Sequence, residues 1–149
     1  MKRRASPPRR LRGQLGKRLS LPREEFTALS LHYHAAFEAL RIKQGSGHGA
    51  RVLLQMVVLT GFIGDARRCE LNFDALRAAE NALCAAVEHG ERIGEWQLDA
   101  EAEEVIGALL AWHDNQLRCA PLAVLVEAIE RLERLRDGKS YARPPVRVT

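Results

Sequence analysis

The first 23 residues contain no acidic side chain and no aromatic ring. Nothing in this segment can neutralise its own nine Lys/Arg, and without a ring it offers no platform for stacking on bases. Cysteine is scarce as well. Cys69, Cys84 and Cys119 are odd in number and form no CxxC pair. That argues against a disulfide framework or a redox role, and we expect free, mostly buried thiols in a reducing compartment. No apolar run reaches the roughly 18 residues of a membrane span. The longest, residues 52–63, is interrupted by Gln55, Thr60 and Gly61, so a buried core helix is expected there. The amino terminus lacks the apolar stretch of a secretory signal, and nothing hydrophobic follows Arg9-Arg10 as a twin-arginine signal would require. The expected location is cytoplasmic.

What the chain does have is charge divided by position. Residues 1–23 carry nine bases and no acid, residues 24–137 eleven bases against nineteen acids, and residues 138–149 three further bases. The net +4 therefore describes no part of the molecule. At 149 residues the chain suits one domain. The reading is a disordered basic arm over residues 1–20, a helical bundle over 21–138 and a short flexible tail over 139–149.

Apolar side chains recur with helical periodicity in five segments, and no alternating pattern competes with them. The first, residues 24–42, places Phe26, Leu29, Tyr33, Phe37 and Leu40 on one face. The glycine-rich stretch 45–49 is read as its stop and connector. The second, residues 50–67, is apolar nearly all round, which puts it at the centre of a bundle or in an oligomer interface. The third begins near Asn72 or Asp74, with Leu76, Ala79, Leu83, Ala86 and Val87 inward and a surface Glu88–Arg92 pair. Asp99 caps the fourth, whose stripe is read as Val105, Ile106, Leu109, Leu110, Trp112 and Leu117. Pro121 opens the fifth, with Glu127–Arg131 and Glu130–Arg134 expected as surface pairs. The fold class is all-α, a four- to five-helix bundle.

Candidate chemistry is sparse. Gly45-Ser46-Gly47-His48-Gly49 follows a helix and has neither the Lys-Ser/Thr of a phosphate loop nor a dinucleotide fingerprint. His32 and His34 point to different sides of a helix, so one metal cannot take both. No HExxH or Glu-x-x-His pattern occurs, and no metal, cofactor or catalytic group is expected. His113-Asp114-Asn115-Gln116 is the one dense polar run inside an apolar helix, and we read it as an interhelix polar network or an exposed face. Trp96 and Trp112 are read as core anchors.

The basic arm is the strongest functional candidate. Lys2, Arg3, Arg4, Arg9, Arg10, Arg12, Lys17 and Arg18 suit neutralisation of phosphates on DNA or RNA without regard to sequence. Leu11, Leu15 and Leu19 share one helical face, while Gly13 and Gly16 each cost a helix about 1 kcal/mol, so order is expected only on a partner. The acidic cluster Glu101, Glu103 and Glu104 suits its helix dipole and is also a docking surface for a basic partner, this chain's own arm included.

Leu31-His32-Tyr33-His34, Ala39-Leu40-Arg41, the glycine-rich turn, Gly94-Glu95-Trp96-Gln97-Leu98-Asp99 and His113-Asp114-Asn115-Gln116-Leu117 before Ala120-Pro121 occur together. This pattern resembles a family of small helical bacterial proteins found near plasmid and mobile-element genes, some labelled Fis family transcriptional regulator. The resemblance spans roughly residues 26–135 and implies no assigned chemistry. Fis-type proteins read DNA with a basic second helix of a helix-turn-helix. Here the last helix carries Glu127, Glu130 and Glu133, which repel phosphates, so any DNA contact is expected from the arm. The functional expectation is a non-enzymatic accessory or regulatory protein touching nucleic-acid backbone through its arm. The alternative is a protein-interaction adaptor or inhibitor, and a homodimer is expected to be within its reach.

Overall fold

The computed structural model describes residues 23–67 and 72–140, and among these residues five helices supply all the regular structure. They are α1 (Arg23–Arg41), α2 (Gly47–Arg67), α3 (Phe73–Ile93), α4 (Ala100–Cys119) and α5 (Leu122–Arg136). No strand occurs among the described residues, so the chain is an all-α bundle of five helices. The arm over residues 1–20, Cys69 and residues 141–149 of the tail lie outside the described part.

α2 is the hub. Its side chains are apolar on every side, and it packs against α1, α3, α4 and α5 in turn. Leu53, Met56 and Ile63 are fully buried within it. The helix is long and apolar enough to cross a membrane by length and composition, but its apolar surface is spent on four neighbouring helices. Around it sit two clusters. One gathers Tyr33, Leu40, Leu53, Met56, Leu83, Ile106 and Leu110; the other, toward the junction of α4 and α5, gathers Leu59, Ile63, Leu117, Leu125 and Ala128.

The helix starts are set by side-chain oxygens that accept from otherwise orphaned amides. Asn72 Oδ1 takes the Ala75 N–H at 3.0 Å, and Asp99 Oδ1 takes the Ala102 N–H at 2.8 Å. Asp99→Ala should therefore lower stability by about 1 kcal/mol, read as a shift in the urea midpoint. The glycine-rich stretch departs from its reading as a connector. Ser46 Oγ accepts the Gly49 N–H at 3.0 Å, and Gly47, His48 and Gly49 are already the first turn of α2. Glycine composition hid a serine cap.

Two helix ends close with the same pair of backbone bonds but different residues. After α5, Gly138 N–H donates to Leu135 O and Lys139 N–H to Arg134 O, with Gly138 at φ 71°. After α1, Lys43 N–H donates to Leu40 O and Gln44 N–H to Ala39 O, with Lys43 at φ 64°. This closure needs a left-handed residue, where a Cβ is penalised. Lys43→Gly should raise stability by about 0.5–1 kcal/mol, a net gain because part is lost to the freer unfolded chain. A thermal melt of the two proteins decides it.

Gly90 serves a close approach. A Cβ there would lie 2.2 Å from two atoms of the Trp96 indole, which folds back over the end of α3. Trp96 is thus a half-buried pin of the α3–α4 connection. Gly90→Ala should gain helix propensity and lose more by displacing the ring, for a net cost of about 1 kcal/mol. A red shift of Trp96 fluorescence would accompany it.

Four side chains stand where the sequence reading did not put them. Cys84 and Cys119 are exposed, not buried. Trp112 is 50% exposed, not a core anchor. Arg131, read as a surface partner of Glu127, is buried: its guanidinium lies 4.2 Å from the Phe62 ring centre and Nη1 donates to Asp65 Oδ2 at 2.9 Å. A planar, weakly hydrated cation over a ring tolerates such burial better than an ammonium would.

Candidate functional site

The polar run of α4 divides into two layers. His113 and Gln116 point inward onto α2, and Asp114 points sideways onto α1. Of the two readings of this run, the interhelix network is the one the structure contains.

The inner layer can be followed proton by proton. Thr60 O–H donates to Met56 O at 2.7 Å, which uses the only hydroxyl proton. Gln116 Nε2 donates to Thr60 O at 3.1 Å, which turns Gln116 Oε1 toward the imidazole. His113 Nδ1 then faces two acceptors, Thr60 Oγ1 at 3.0 Å and Gln116 Oε1 at 3.2 Å. Nδ1 therefore carries the ring proton, and Nε2 holds a bare lone pair. Nε2 is buried with no hydrogen-bond partner. The buried Tyr33 ring meets the imidazole edge-on, with centroids 5.4 Å apart. A second proton on this ring would put a cation into apolar surroundings, so burial pushes His113 down to about 4, against the opposing effects of Gln116 and Asp114. Burial likewise pushes Tyr33 up to about 12. Both groups are neutral at pH 7.

The outer layer is a clamp. Ser30 O–H donates to Asp114 Oδ1 and His34 Nε2 bonds Asp114 Oδ2, each at 2.6 Å. Partial burial tends to raise Asp114, but the Ser30 and His34 hydrogen bonds outweigh it and hold the carboxyl below its ordinary value. Ser, His and Asp are together here in the wrong order for nucleophilic catalysis. Both donors address the carboxylate, so the imidazole is not placed to take the Ser30 proton. The arrangement ties α1 to α4.

The remaining histidines gather nothing among the described residues. The His32 and His48 rings stand 6.3 Å apart across the α1–α2 turn, and no third ligand joins them in a group able to hold a metal. His89 closes α3 with Nε2 buried and without a partner.

Several hollows mark the surface of the described residues. One of about 440 Å³ lies where α1, α4 and α5 meet, beside Phe26, Asp114, Arg118 and Leu122. Two others lie along the α3–α4 seam, one of them ending at Trp112. Phe73, at the start of α3, is 73% exposed. The eight arm residues Lys2, Arg3, Arg4, Arg9, Arg10, Arg12, Lys17 and Arg18 all lie outside the described part, so the structure brings none of them to a site. The Thr60–His113–Gln116 contact was the feature least visible in the sequence, because it joins positions 53 and 56 residues apart. Comparison with protein-family models, with curated proteins and with solved structures finds no match for this chain.

Proposed function

We propose that this chain is a non-enzymatic helical accessory or regulatory protein that holds nucleic-acid backbone through its basic amino-terminal arm. One observation carries the reading: nine bases without an acid precede a body in which acids outnumber bases nineteen to eleven. A segment of that charge attracts phosphate and releases counterions, whereas the body repels it. α5 supports the choice of the arm. It buries its own Arg131 against α2, and Glu127, Glu130 and Glu133 weaken it as a groove-reading helix. The polar layers suit the same reading, since every hydrogen bond described in them holds a helix to itself or to a neighbour. The test is a fluorescence-anisotropy titration of a labelled random duplex with the full chain and with residues 21–149. Binding by the full chain alone supports the reading, and equal binding by both removes it.

A protein-interaction adaptor or inhibitor is the second reading, favoured by the exposure of Trp112 beside an apolar hollow. A large exposed ring at such a place is typical of a docking face. Under this reading, deletion of residues 1–20 leaves partner capture unchanged. A resident regulatory role near mobile-element genes belongs to the same proposal and rests on the sequence resemblance alone.

A further inference from the structure

The hollow of about 440 Å³ where α1, α4 and α5 meet is mainly apolar, with Phe26 and Leu31 of α1, Leu117 of α4 and Leu122 and Leu125 of α5 in its lining. Leu31 is left 63% exposed there. Two charges share the lining, Asp114 and Arg118, and they are of opposite sign. Such a surface suits an apolar, uncharged occupant. The chain enters α1 beside it. α1 begins at Arg23, and Phe26, three residues on, lines the hollow and packs against Leu122 and Val126. The residues before Arg23 are Leu19-Ser20-Leu21-Pro22, an uncharged run that starts after Arg18.

We propose that Leu19 and Leu21 fold back into this hollow and close it, seating the root of the arm on the bundle. The register agrees in three ways. Leu21 stands one place before the cap position of α1 and Phe26 is its fourth residue, the two positions that pair in a hydrophobic staple. Pro22 restricts the residue before it to extended backbone. In an extended run Leu19 and Leu21 share one face and Ser20 takes the other. The two leucines then stand about 7 Å apart, close to the rise of about 7.5 Å from Phe26 to Leu31 along α1, so each meets one end of the lining.

The hollows on the α3–α4 seam are poorer seats for this segment. Trp112, which lines one of them, is two residues and so about 200° round α4 from Asp114, which faces α1. Seating goes beyond the nucleic-acid reading and does not depend on it, since the leucines address apolar surface alone. It does fix where the arm begins. All eight arm cations, from Lys2 to Arg18, precede Leu19, so the seat consumes none of them. The free arm is then residues 1–18, and it leaves the bundle near Leu31 in the middle of α1 instead of from the helix tip.

The test joins methyl NOE spectroscopy of the full chain, without nucleic acid, to thermal melts of Leu21→Asp and Ser20→Asp. Both substitutions lie outside the described bundle, so circular dichroism should show both variants folded. Leu21 methyls should show contacts to the Phe26 ring, and Leu19 methyls to the methyls of Leu31 or Leu117. Leu21→Asp should melt about 4 °C below the unmodified chain because a charge is forced out of the seat. Ser20→Asp adds the same charge one residue away, on the outward face, and should melt within about 1 °C of it. Absence of the contacts, or equal melting of the two variants, overturns the proposal. Contacts found only between differently labelled molecules in a mixed sample also overturn it and give the hollow to the arm of a second copy.

Discussion

Removing residues 1–20 is expected to abolish duplex binding, and raising salt is expected to do the same to the intact chain. If all eight arm cations sit on phosphates, log K falls with log salt at a slope of about −7. Between 50 and 200 mM salt the intact chain should then lose on the order of 10³–10⁵ in affinity. A truncated chain should show no such slope, because acids outnumber bases in what remains. Replacing Arg9, Arg10 and Arg12 together should flatten the slope by about 3 without changing which sequences bind, since backbone contacts carry no base information. Scrambled and unscrambled duplexes should titrate alike. A slope near −1 for the intact chain would mean that few arm cations engage at once, and the arm would no longer explain the binding.

The fold was legible because four helices carry an apolar stripe at helical spacing and the fifth, α2, is apolar all round. The all-round apolar α2 was expected at the centre, and it contacts all four other helices. What went unread follows one rule: residue type was allowed to outweigh position. On α4 the buried residues Ala102, Ile106, Leu109, Leu110, His113 and Leu117 form a single stripe, and His113 falls near its middle. Trp112 lies about 100° away from it on the helix, so the ring faces solvent and the imidazole takes the core place. Cys84 follows Leu83 on α3 and leaves the buried face by the same angle. Arg131 is the opposite case. A guanidinium at a buried position is readable only when Phe62 and Asp65 of α2 are known to stand opposite it, and that is information about tertiary contact. The hollows along α3–α4 were legible only in part. Glu101 and Glu104 lie in their lining, but alanines that line a surface hollow look no different in sequence from alanines that fill a core.

Acid is expected to unfold this bundle through His113. The unfolded chain takes up a proton on this imidazole near pH 6.5, while the buried ring resists until about 4. Between those values the unfolded state binds more protons, so stability falls as the pH falls and levels off below about 4. The gap corresponds to a loss of about 3 kcal/mol, a large share of what holds a domain of this size together. The groups that face the ring explain why nothing rescues the cation. Thr60 and Gln116 offer acceptors to Nδ1 only, and Tyr33, neutral itself, covers the ring from α1. The incoming proton must go to Nε2, which has no acceptor to give it to. Asp114 belongs to a lower window. Its carboxyl is held below 3.8, so the stability of the Ser30–His34 clamp is lost only as the pH drops through that depressed value. His113→Leu separates the two. It strands Gln116 Oε1 and should cost about 1–2 kcal/mol at pH 7. In exchange, the urea midpoint should become nearly flat from pH 7 to pH 4, while that of the unmodified chain falls steeply. Parallel curves for the two proteins would place the acid sensitivity elsewhere. A flat curve for the variant would mean that one imidazole, at the centre of the α4 stripe, sets the acid limit of the fold down to pH 4.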